Sequence, residues 1–130
     1  MALRNIVIEG DDILRKVCRP VDHFDDKLQV LLDDMKETMY ASNGVGLAAP
    51  QIGVLRRIFV IDVQDGRGLI EFVNPEIIET RGSQTSCEGC LSIPDFQGNV
   101  IRPAFVRVRA YDRYGKSFEY ESGDLGAVCV

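Results

Sequence analysis

No apolar run in the sequence extends beyond a few residues. That excludes a transmembrane helix, which needs about 20 predominantly apolar residues in succession. A secretory signal is also missing: the stretch from Met1 to Asp12 has too short an apolar core and turns acidic too soon. These two absences predict a cytoplasmic protein with no membrane partner. Internal repeats, low-complexity tracts and linkers are absent too, so residues 1–130 are read as one domain around one core. Histidine is scarce. The one histidine, His23, stands among Pro20, Val21, Asp22, Phe24 and Asp25 and reads as an ordinary loop residue. Positive charge is outnumbered, 15 Lys and Arg against 20 Asp and Glu, for a net charge of −5. Such a balance repels phosphates and predicts no direct nucleic acid readout.

What is present is ordinary for a folded globular chain: 45% hydrophobic and 27% charged residues. Arg102, Arg107, Arg109 and Arg113 form a mild basic cluster. Strand alternation would put Arg107, Arg109 and Arg113 on one face, read as a solvated sheet face. Cys18, Cys87, Cys90 and Cys129 are expected to be reduced thiols or metal ligands, since nothing points to an oxidising compartment.

Asp11 to Arg15 reads as a helical turn, and Pro20 ends regular structure there. Residues 25–42 read as an amphipathic helix: Leu28, Leu31, Leu32, Met35 and Met39 recur at spacings of three and four. Asp25 is its N-cap and Asn43-Gly44 its stop. Strands are expected at Arg57–Val63, Leu69–Phe72, Ile77–Thr80, Phe105–Tyr111 and Ser117–Tyr120. Asn74-Pro75 should break the run between the second and third, and Asp112 to Gly115 should form a hairpin turn. Strands in the middle and helices towards the ends give an α+β class with mixed or antiparallel sheets packed around helices. Asp124 could cap a last helix whose apolar face begins Leu125, Val128, Cys129; there Gly126 should weaken the helix by about 1 kcal/mol relative to alanine.

Two segments carry chemistry. Gly44 to Gly53 is rich in small residues directly after a helix, so its backbone can approach a ligand closely, or it is simply a helix cap and a tight turn. It does not fit a phosphate loop, since no lysine follows and no strand precedes it. Cys87 and Cys90, two residues between them, could be half of a zinc site or a redox pair. Cys18, Cys129 and His23 offer no second pair, and Pro94 opposes the helix that a redox pair usually opens.

Taken together, Gly44-Val45-Gly46-Leu47-Ala48-Ala49-Pro50-Gln51 and Glu88-Gly89-Cys90-Leu91-Ser92 resemble the first two motifs of peptide deformylases. Asp12-Ile13-Leu14-Arg15, Phe72-Val73-Asn74-Pro75 and Val100-Ile101-Arg102-Pro103 agree with the same family, in the manner of its bacterial members. The resemblance implies a metal-dependent hydrolase that removes the N-formyl group from the formyl-methionine of nascent polypeptides, with the ribosome near its exit tunnel as a partner. It implies Cys90 as a metal ligand, with Gln51 and the Leu91 N–H as oxyanion donors. Gly44, Val45, Gly46, Leu125, Val128 and Cys129 would line the substrate cleft and its methionine pocket. The metal would be Fe2+, with Zn2+, Ni2+ or Co2+ as substitutes. The family's third motif, a helical His-Glu-x-x-His, lies outside these 130 residues, so the other two ligands are missing and the central helix is absent or cut short. The resemblance therefore leads us to expect an inactive chain, with the strands Ile58–Val63 and Phe105–Tyr111 losing their cover. Two rivals stay open: a non-catalytic peptide-binding remnant, and a thiol or metal module built on Cys87 and Cys90.

Overall fold

The computed structural model describes residues 3–129, apart from the side chains of Asp95, Phe96 and Asp124. The Asp124 cap expected from the sequence falls outside these described groups, as does Val130. After a short 3-10 turn, Asp12–Arg15, the chain forms helix α1, Asp26–Ala41. The Asp25 carboxylate accepts the Leu28 N–H at 3.1 Å, satisfying one of the helix's free donors. Leu28, Leu32, Met35 and Met39 are buried along one stripe, as their spacing requires. The helix ends in a Schellman arrangement: Gly44 N–H bonds Met39 O and Asn43 N–H bonds Tyr40 O. It is Asn43, at φ 58°, that takes the left-handed position.

Strand β1, Gly46–Ala48, and a 3-10 turn, Ala49–Ile52, lead into β2, Ile58–Ile61, and β3, Ile70–Arg81. A hairpin of β4, Gln84–Cys90, and β5, Ile93–Arg102, follows. Strands β6, Phe105–Tyr111, and β7, Ser117–Gly123, precede the final described element, α2, Asp124–Cys129. The strands form a five-stranded sheet, ordered β1-β2-β3-β6-β7, and a separate two-stranded sheet, β4-β5. All these pairings are antiparallel. The α+β class is therefore as expected.

Two expectations about the strands need correction. The expected strands Leu69–Phe72 and Ile77–Thr80 are one strand, because Asn74-Pro75 bulges without breaking it: the register shifts between Val73 and Glu76. Asn74 secures the bulge by exchanging two hydrogen bonds with the Val21 backbone, at 2.7 and 3.0 Å. The strands expected to lose their cover are also covered. Ile58, Val60, Ile61, Val106, Val108 and Ala110 are each at most 3% exposed. α1 lies over Ile58 and Val60. On the other face Phe72 gathers Phe59, Phe118 and Tyr120 at centroid distances of 4.4, 5.6 and 5.3 Å, and Ala127 of α2 joins this cluster with Ile61, Val106 and Val108.

The arginine cluster does not present a bare basic face. Arg107 pairs with Glu79 and Glu121 at 3.2 and 3.1 Å across the β3–β6–β7 ladder. Arg113 leaves that row and reaches Glu71 and Asp33, tying the β6–β7 turn to α1.

Gly126 also behaves differently from expectation. A Cβ there would stand 2.1 Å from Ser122 Oγ and 2.7 Å from the Tyr120 hydroxyl. The helix-propensity gain from alanine is outweighed by this overlap, and overpacking typically costs about 1–3 kcal/mol. Gly126→Ala is therefore expected to lower the thermal melting temperature; an unchanged or higher melt would contradict this packing.

Candidate active site

The Schellman turn at the end of α1 delivers the chain into β1, which lies at the edge of the sheet and, among the described residues, pairs with β2 alone. The 3-10 turn that follows places Gln51. Its Oε1 accepts the Ala48 N–H at 3.0 Å, which turns its Nε2 group towards the β4–β5 hairpin. There Nε2 donates to Ser92 Oγ at 3.2 Å and to Cys90 Sγ at 3.6 Å. A register shift between Gly89, opposite Gln97, and Cys90, opposite Ile93, bends the hairpin at this point, and Cys90 is exposed.

Gly44 and Gly46 serve close approach. A Cβ on Gly44 would come within 2.9 Å of Leu91 Cδ1, and one on Gly46 within 2.9 Å of Cys129 Sγ. Neither glycine has a positive φ, so space and not backbone freedom is what each supplies. The two small residues let the hairpin and α2 close against β1. Between them lies a cleft of about 1120 Å³, lined by Gly44, Val45, Gly46, Gln51, Cys90, Leu91, Leu125, Val128 and Cys129 among others. The residues singled out from the sequence are thus brought to one place. His23 is exposed in the loop before α1 and lines a separate, smaller cleft.

One feature of the cleft escaped the sequence reading. Glu88 and Arg102 form a two-pronged ion pair, with Arg102 Nη2 and Nε at 2.8 and 3.0 Å from the two carboxylate oxygens. The Arg102 hydrogen bond is the main cause holding the Glu88 carboxyl below the usual range. The pairing follows from the β4–β5 hairpin, which was not anticipated because its residues are polar and alternate weakly. Cys87 lies near Gln97 Oε1, at 3.7 Å, and all four thiols are free. Three residues along a strand separate Cys87 and Cys90 by about 10 Å, too far for a disulfide without bending the strand.

Cys129 donates to the Val45 carbonyl at 3.4 Å. Burial, helped by the negative charge of Glu88, pushes its thiol up to about 11. A raised folded-state value favours folding fully below the ordinary thiol value of 9.0, and that contribution is lost as pH rises through about 11. Iodoacetamide at pH 8 should therefore modify exposed Cys87 and Cys90 first and Cys129 last, as read by mass spectrometry. Equal rates would contradict the buried, neutral thiol.

The residues present do not by themselves fit a metal centre. Among the described residues no three His, Cys, Asp or Glu side chains come together.

The family model described as polypeptide deformylase matches residues 3–130. The peptide deformylase of Acetivibrio thermocellus is 56% identical over 130 residues, covering 100% of this chain and 75% of that protein. That of Alkaliphilus metalliredigens is 53% identical over 125 residues, covering 96% and 84%. Among solved structures, the peptide deformylase from Legionella pneumophila superposes with a TM-score of 0.95 at 48% identity, over 98% of this chain and 76% of that one. The Thermotoga maritima enzyme gives 0.95 at 38% identity, over 99% and 87%. Sequence motifs, strand order and these likenesses agree, and the chain belongs to the peptide deformylase family.

Proposed function

We propose that the cleft between β1, the Cys90 hairpin and α2 receives the N-formyl-methionyl end of a nascent polypeptide. The observation that carries this reading is the meeting of Gln51 Nε2 and Cys90 Sγ, 3.6 Å apart, at a cleft with an apolar wall. Val45, Leu125, Val128 and Cys129 would hold the methionine side chain there, and the backbone at Gly44 and Gly46 would lie along the peptide. Gln51, its amide already oriented by Ala48, would donate to the formyl oxygen as negative charge develops, with the Leu91 N–H as second donor. A preorganised donor of this kind is worth about 2.7–4 kcal/mol in acyl transfer. Cys90 would supply one ligand to the metal, Fe2+ or a substitute such as Zn2+, Ni2+ or Co2+.

A catalytic metal normally takes three protein ligands. Among the described residues no three such groups come together, so these residues by themselves would bind peptide without hydrolysing it. The peptide deformylase of Synechococcus elongatus is known in complex with actinonin, and the same cleft would be the place for such a ligand here. No helix among the described residues is long and apolar enough to cross a membrane. A cytoplasmic site of action, on chains leaving the ribosome, follows from the proposed substrate.

Nuclear magnetic resonance with 15N-labelled chain tests the reading. Adding formyl-Met-Ala-Ser should shift resonances at Gly44 to Gly46, the Gln51 side chain, Leu91 and Leu125 to Cys129. Met-Ala-Ser without the formyl group should shift the Gln51 amide far less. Shifts confined to the cleft around Arg19, His23 and Leu31, or no distinction between the peptides, would contradict it.

A further inference from the structure

The two loops that meet at the cleft belong to different sheets, so something must fix their separation. Among the described residues, one backbone hydrogen bond ties the β4–β5 hairpin to the chain outside its own strands. It is donated by Glu9 N–H to Ser92 O, at 2.7 Å. Two residues earlier, Val7 N–H donates to Gln51 O at 2.6 Å. Ile8 begins a turn closed by the Asp11 N–H, and the Val7 and Glu9 N–H groups on either side of it grip the two loops at once. The Gln51 side chain closes a ring by donating to Ser92 Oγ at 3.2 Å. Ser92 is itself buried, at 3% exposure, so its carbonyl gains little from water.

The segment is held at both ends. Arg4 donates its backbone N–H to Thr38 Oγ1 at 3.0 Å and pairs with Asp34, both on α1. Glu9 pairs with Arg15 of the first 3-10 turn. α1 in turn is packed on the main sheet. The chain thus runs from a fixed anchor on α1, past Gln51, to Ser92, two residues from Cys90.

We propose that the N-terminal segment Val7–Glu9 is a positioning element that sets the distance between Gln51 and Cys90, acting through its backbone N–H groups and not its side chains. Its consequence for peptide binding rests on the function proposed above; the positioning itself does not. An N–H removed here leaves a buried carbonyl unsatisfied, which is costly enough to move the loop.

The test compares Glu9→Pro, which removes the N–H, with Glu9→Ala, which keeps it and removes only the Arg15 ion pair. In the 130-residue chain, the Val7 and Glu9 amides should be protected from hydrogen exchange. Glu9→Ala should leave the Gln51 side-chain resonance in place. Glu9→Pro should move it towards a free carboxamide and weaken formyl-Met-Ala-Ser binding about tenfold, the equivalent of one lost hydrogen bond. Unprotected amides, or a Gln51 resonance unmoved in Glu9→Pro, would overturn the proposal. If Glu9→Pro does not fold, amide protection in the unmodified chain decides alone. A moved Gln51 resonance with unchanged peptide affinity would uphold the positioning role and count against the peptide cleft.

Discussion

Incubated with formyl-Met-Ala-Ser and ferrous iron, nickel or zinc, the 130-residue chain is expected to release no formate beyond that of the metal alone. The reason is ligand number. Cys90 stands at the cleft with an amide donor beside it, and no three ligating side chains come together among the described residues. A lone exposed thiol does not fix a metal's position or leave it a defined open site. Gln51, Cys90 and Leu91 already meet at the cleft, so on the proposed reading supplying two further ligands should have a large effect. Joining a His-Glu-x-x-His helix in register after Val130 is expected to raise formate release by about 10⁶-fold or more, the low end of enzymatic rate enhancements. Turnover by the unextended chain comparable with a complete family member would contradict this account.

The meeting of Gln51 and Cys90 at one cleft was legible in the sequence because both sit in short contiguous motifs, whose likeness to a family does not depend on knowing the fold. α1 was legible to its ends, since five apolar residues repeat on one face and Asp25 caps it. The β6–β7 hairpin was legible from its β-branched and aromatic residues around Asp112 to Gly115. The β4–β5 hairpin was not, because Gln84 to Gly89 lies on a two-stranded sheet with little burial and so carries little alternation. β3 was split on paper by Asn74-Pro75, whose tolerance depends on a side chain bonding Val21, 53 residues away. The same limit hid the Glu88–Arg102 pair and the Val7–Glu9 segment. Both rest on register and long-range backbone contacts, which no local pattern encodes. Gly126 was misjudged for a related reason: propensity is local, whereas the overlap with Ser122 and Tyr120 is set by how α2 folds back on β7.

The choice between Cys90 and Cys87 carries the account. Both thiols are free and exposed on the same strand. Cys90 follows the register shift of the ladder and lies 3.6 Å from Gln51 Nε2, while Cys87 faces Gln97. On the proposed reading Cys90 would be the thiol ligand to iron or zinc, and its loss would remove most of the metal's polarising effect, worth several kcal/mol. The decisive measurement is formate release, with metal content measured alongside, in the chain extended by the His-Glu-x-x-His helix and carrying either Cys90→Ser or Cys87→Ser. Cys90→Ser is expected to lower turnover by about a thousandfold, equivalent to about 4 kcal/mol, and to reduce bound metal; Cys87→Ser should retain most of both. Loss of activity and metal in Cys87→Ser, with Cys90→Ser left active, would contradict the account.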